Sequence, residues 1–175
     1  MHLTRTGRIL TAATISAVAF TAFSIAPAFA DGGGHSHDGH SVVRVHLLGS
    51  QPAPASPVIA GINPGGAPWV NDRSTARVRA DGRITVDIHG LVIPPPRGTG
   101  VNPVASVIAT LVCDGAVGDS TDPFSLSPAG DGRTRDTIAV PEECADPTVL
   151  IQPAANHAVY IASGVSSRHD DHRDD

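Results

Sequence analysis

Between residues 42 and 165 the apolar side chains come in short runs with a period of two, separated by turn residues. Val43, Val45 and Leu47 alternate with Arg44 and His46, the pattern of a strand with one buried face. Ala76, Val78 and Ala80 alternate with Arg77 and Arg79, Asp81-Gly82 supplies a turn, and Ile84, Val86 and Ile88 alternate with Arg83, Thr85, Asp87 and His89. This reads as a β-hairpin over Ala76–Ile88, closed by a tight two-residue turn. A slip of one residue would move its whole apolar set to the wrong face, so the register is well specified. Val104–Cys113 is apolar on both faces, which suits a central strand. Shorter strands are expected at Phe124–Ser127, Arg135–Val140, Thr148–Gln152 and Ala158–Ala162, with further turns at Asp114-Gly115 and Asp131-Gly132. No segment after residue 30 repeats apolar residues at helical spacing over three turns, and prolines cluster at Pro52–Pro68 and Pro94–Pro96. The expected fold is all-β: an antiparallel β-sandwich of immunoglobulin-like kind, with a small β-barrel as the alternative.

The ends of the chain read differently. Arg5 and Arg8 precede a mostly apolar run over Ile9–Ile25, Pro27 breaks it, and Ala28-Phe29-Ala30 has the small residues of a cleavage site. Residues 1–30 therefore read as a secretory signal peptide. The rival is a membrane anchor, but the run is diluted by Thr11, Thr14, Ser16, Thr21 and Ser24. Residues 31–41 form a His- and Gly-rich leader too polar to bury anything, and residues 166–175 a charged tail, both expected to be disordered. That leaves 42–165 as the one folded domain, with secreted, extracellular localisation and no membrane anchor after cleavage.

Charge and cysteines refine the picture. The chain has a formal charge of −5, and losing Arg5 and Arg8 makes it −5 − 2 = −7. All 12 basic residues are arginine. No basic cluster is visible along the sequence, so nucleic acid is not an expected partner. The 2 cysteines, Cys113 and Cys144, are expected to form a disulfide in an exported protein, the alternative being two buried free thiols.

Trp69 is the 1 tryptophan of the chain and sits in a Pro/Gly-rich stretch, Gln51–Asn71. It reads as a core plug at the sheet end, or alternatively as an exposed ligand contact. Around it runs Gly65-Gly66-x-Pro68-Trp69-Val70, followed by a hairpin ending at Gly90-Leu91-Val92. Gly100-x-Asn102-Pro103 then leads into a strand ending at Cys113, with Cys144 beyond. Over about Val58 to Gly164 this order of landmarks resembles a group of exported bacterial β-rich proteins that have no established activity. The resemblance implies an exported, single-domain, disulfide-containing β-protein, and it carries over no functional residue.

Histidine is the enriched reactive type. His35, His37 and His40 lie together in the leader, and His169 and His172 lie among Asp170, Asp171, Asp174 and Asp175. Imidazoles with carboxylates could hold Zn²⁺ or Cu²⁺, although a glycine-rich leader is not preorganised and would pay about 1–2 kcal/mol per residue to order. The plain alternative is a solvated low-complexity segment. Asp87 and His89 are same-face neighbours that could make an acid–base pair, or simply a polar surface. Glu142 and Glu143 are adjacent, unlike a glycosidase pair, and no nucleophile elbow is present. The expectation is a secreted non-enzymatic protein with a structural or interaction role at the cell exterior, engaging an extracellular or envelope partner and using no cofactor. The alternative is an extracytoplasmic transition-metal-binding protein using the leader.

Overall fold

The computed structural model describes residues 41–165. Residues 1–30, read above as a signal peptide, most of the expected leader with His35, His37 and His40, and the expected tail lie outside the described residues. Strands β1 (Ser41–Gly49), β3 (Ser74–Arg79), β4 (Arg83–Ile88) and β8 (Gly132–Thr137) make one half of an antiparallel sheet. β5 (Ser106–Cys113), β6 (Ala116–Ser120), β7 (Phe124–Ser125), β9 (Thr148–Pro153) and β11 (Ala162–Val165) make the other. The two halves share β1, whose Ser41–Leu47 segment pairs with β3 while Leu48 and Gly49 pair with β11. The domain is all-β, and the sheet curls as a half-barrel. A short parallel pair, β2 (Asn63–Pro64) with β10 (Val159–Tyr160), stands apart from it.

The alternation read from the sequence becomes burial. In β3 and β4 the inward Ala76, Val78, Ile84, Val86 and Ile88 are at most 1% exposed. The hairpin turn differs from the expected two-residue form. Gly82 N donates to Arg79 O (3.0 Å) and only Gly82 has positive φ, so the loop is a three-residue turn ending in a left-handed glycine. Ala80 and Asp81 both keep ordinary φ, which a two-residue type I′ turn would not allow. Between β5 and β6 the two-residue form does occur, with Asp114 at φ 53° and Gly115 at φ 75°.

β5 is buried on both faces because its two sides meet different partners. Val107, Ala109 and Leu111 join the main core with Val149 and Ile151 of β9. Val112 and Leu150 point the other way, under Ile62 and Tyr160 of the long connection and β10. Tyr160 is fully buried, and its hydroxyl donates to Pro57 O at 2.6 Å. Burial raises the hydroxyl's pKa, partly offset by Ser56. Trp69 is 4% exposed and belongs to the main core. The ring is thus the plug at the sheet end, and the alternative of an exposed ligand contact gives way to burial. Its carbonyl lies so close to β1 that a Cβ on Gly49 would stand 2.4 Å from it. Cys113 and Cys144 are joined as a disulfide, Cα–Cα 4.9 Å, which ties the end of β5 to the segment after β8. Such a bond is compatible with an oxidising, extracellular location.

Carboxylates bridge the seam between β6 and the end of β8. Asp119 accepts from Ala139 N (2.8 Å) and Ser120 N (2.8 Å), and Asp136 accepts from Asp122 N (2.8 Å). The amide donors from Ala139, then Ser120, hold the Asp119 carboxyl below its ordinary range. Its contribution to stability is therefore present above the unfolded pKa, about 3.9, and is lost as pH falls through the lower folded value. Asp119→Ala is expected to unfold at lower urea than the parent at pH 7, with the gap narrowing below about pH 4. An unchanged gap at acid pH would show that the charge at the seam contributes nothing.

Candidate functional site

The structure groups what the sequence scatters. Twelve arginines less Arg5, Arg8, Arg168 and Arg173 leave eight within the described residues. Six of these, Arg44, Arg77, Arg79, Arg83, Arg133 and Arg135, stand on the outward face of β1, β3, β4 and β8. The ladder register aligns them. Arg44 lies opposite Arg77, Arg77 opposite Thr85, and Thr85 opposite Arg135. One row across four strands thus carries three guanidiniums and one hydroxyl. The expectation of no basic cluster fails here, and with it the ground on which nucleic acid was set aside. Alternation turns each intervening arginine outward on its own strand, and the pairing of β1, β3, β4 and β8 gathers them on one face.

Arg44, Arg77, Arg79, Arg83 and Arg135, with Thr75, Thr85 and Ala76, line a groove of about 410 Å³ on this face. Arg77 and Arg79 are half-buried, with their neighbours covering the stems. Among the described residues no carboxylate comes within ion-pair distance of Arg44, Arg77, Arg79 or Arg135. Arg77 Nε donates instead to Ser41 Oγ at 2.7 Å. Arg83 has only a loose, exposed contact with Asp81 (3.7 Å). Like charges placed directly opposite each other across strands are destabilising. The Arg44·Arg77 juxtaposition therefore costs the fold something, offset in part by the Arg77–Ser41 hydrogen bond.

The next row is neutralised. His46 lies opposite Thr75, Thr75 opposite Asp87, and Asp87 opposite Arg133. Arg133 Nε donates to Asp87 Oδ2 at 3.1 Å. His89 Nε2 is 3.0 Å from Asp87 Oδ1, and Nδ1 is 3.8 Å from Asp131 Oδ1. The structure thus brings together the Asp87 and His89 singled out in the sequence, and adds Asp131 and Arg133 from β8 and the turn before it. His89 is 52% exposed, and its carboxylate partner is shared with an arginine. The adjacent hydroxyl, Ser74, is 2% exposed and bonds to the main chain of His89 through both its donor and its acceptor, so it is not poised as a nucleophile. Glu142 and Glu143 are exposed, and His157 Nε2 lies 3.2 Å from Ala154 O. Among the described residues no group of three His, Cys, Asp or Glu side chains is arranged to hold a metal ion.

Compared with protein-family models, with curated proteins and with solved structures, the chain has no match.

Proposed function

We propose that this is a secreted, non-enzymatic binding domain whose arginine-bearing sheet face docks an anionic partner at the cell exterior. The observation that carries the reading is the row Arg44–Arg77–Thr85–Arg135, in which three guanidiniums lie in register without a neutralising carboxylate among the described residues. An acidic chain, −5 overall, that concentrates unpaired positive charge on one face presents a strongly one-sided field to a partner. The disulfide and the sequence of residues 1–30 support the exterior location. We take the two sheet halves as the facing layers of an immunoglobulin-like sandwich. In support, Val78, Ile84 and Val86 share one core with Val107, Leu111 and Val149.

The test is retention of the purified domain on a phosphocellulose column. An Arg77→Thr/Arg135→Thr double variant is expected to elute at clearly lower salt than the parent. Arg73→Thr/Arg97→Thr, which removes the same charge from outside the groove, is expected to elute where the parent does. Equal behaviour of the two variants would reject the face as a site. The groove variant should unfold at the same or slightly higher urea, because it relieves like-charge repulsion across strands.

A further inference from the structure

Resting on the reading of this face as an anion site, we propose that its partner is a phosphodiester chain, recognised through its phosphates and not through rings or bases. The first ground is the geometry of the arginines. Neighbours across strands are about 5 Å apart at Cα, and neighbours along a strand, such as Arg77 and Arg79, about 7 Å. An anion seated anywhere in the groove therefore meets guanidiniums from two sides. A carboxylate has two oxygens in one plane and is filled by one fork. A phosphodiester also has two charged oxygens, but they stand out from a tetrahedral phosphorus and recur along the chain, so guanidiniums on different strands can each fork onto a phosphate, with the Thr85 hydroxyl between Arg77 and Arg135 as a further donor.

The second ground is what the face omits. Among the described residues the groove is lined by arginine, threonine and Ala76, with no Phe, Tyr or Trp. The large aromatics of the domain, Trp69 and Tyr160, are buried elsewhere. Bases and sugar rings bound in an open groove are commonly held by stacking on aromatic side chains, and among the described residues the groove lining supplies no such ring. The third ground is extent. Arg44, Arg77, Arg79 and Arg135 span three of the four strands, so a single phosphate leaves most of them unmatched. A chain of phosphates matches them in turn. All are arginine, the residue whose planar fork recognises phosphate oxygens in pairs.

The experiment titrates the purified domain with an abasic deoxyribose-phosphate oligomer, which keeps the phosphodiester chain and has no bases. Polyglutamate of equal charge number and heparin are run alongside. With four unpaired arginines engaged, log K against log salt should fall with a slope of about −3, at roughly 0.7 per phosphate for single strands. Raising salt from 50 to 200 mM should then weaken binding about 50-fold. Arg77→Gln/Arg135→Gln should reduce the slope to about −1.4 and that loss to about sevenfold. Arg77→Lys keeps the charge but not the fork, so it should retain the slope while binding more weakly. Polyglutamate should bind at least tenfold more weakly than the abasic oligomer. If polyglutamate or heparin binds as tightly, the phosphodiester assignment falls while the anion-binding reading stands. If none of the three binds, both fall.

Discussion

Loss of the Cys113–Cys144 bridge is expected to destabilise the domain by about 3–4 kcal/mol, the chain-entropy value for a loop of this size. The bond closes a sequence separation of 31 residues and ties the segment between β8 and β9 to the end of β5. The neighbouring turn helps position it: Asp114 N donates to Ala145 O (3.0 Å), and its carboxylate accepts from Ala145 N (3.3 Å). Those two bonds are exposed and stabilise weakly on their own. Urea unfolding of the oxidised protein against a Cys113→Ala/Cys144→Ala variant measures the effect. The variant should also show a larger m-value, because its unfolded chain is less compact. A loss under about 1 kcal/mol would mean that the bridge does not act on the unfolded state as supposed.

Trp69→Ala should cost at least as much, about 3–5 kcal/mol. The ring fills the end of the main core, and the residue is also fixed through its backbone. Trp69 N donates to Ser50 O (2.8 Å), and Gln51 Nε2 donates to Trp69 O (2.8 Å). Surroundings held this firmly relax little into a void, which places the cost at the upper end of the range. Trp69→Phe keeps part of the volume and should lose less than half as much, about 1–2 kcal/mol. Circular dichroism melts of both variants separate the cases. Equal, small losses would show that the ring is peripheral to the core.

Much of the strand pattern was legible because burial on one face leaves a period of two in the sequence. β1, β3, β4, β5 and β9 lie where alternating or continuous apolar runs put them. β8 was displaced in the reading to Arg135–Val140, because its residues, Gly132-Arg-Thr-Arg-Asp-Thr137, contain no apolar side chain. It is an edge strand held by its ladder to β4, and backbone pairing leaves no hydrophobic signature. β6 was missed for the same reason, being almost wholly exposed. The expected strand over Ala158–Ala162 is divided at Ile161. Its first part pairs in parallel with β2 and its second joins β9 in the main sheet, a choice set by partners distant in sequence.

The candidate site shows the same division. Each arginine was visible as the polar member of an alternating pair, and read one strand at a time each looked like ordinary solvent-facing polarity.

What the sequence by itself determined is which residues turn inward, where most strands run and which two cysteines can pair, since burial and turn chemistry act over a few neighbouring positions. Only the tertiary structure decided that Arg44, Arg77 and Arg135, separated by up to ninety-one positions (135 − 44), stand in one row. Strand order and register are fixed by hydrogen bonds between segments far apart in the chain, and a local pattern carries no record of them.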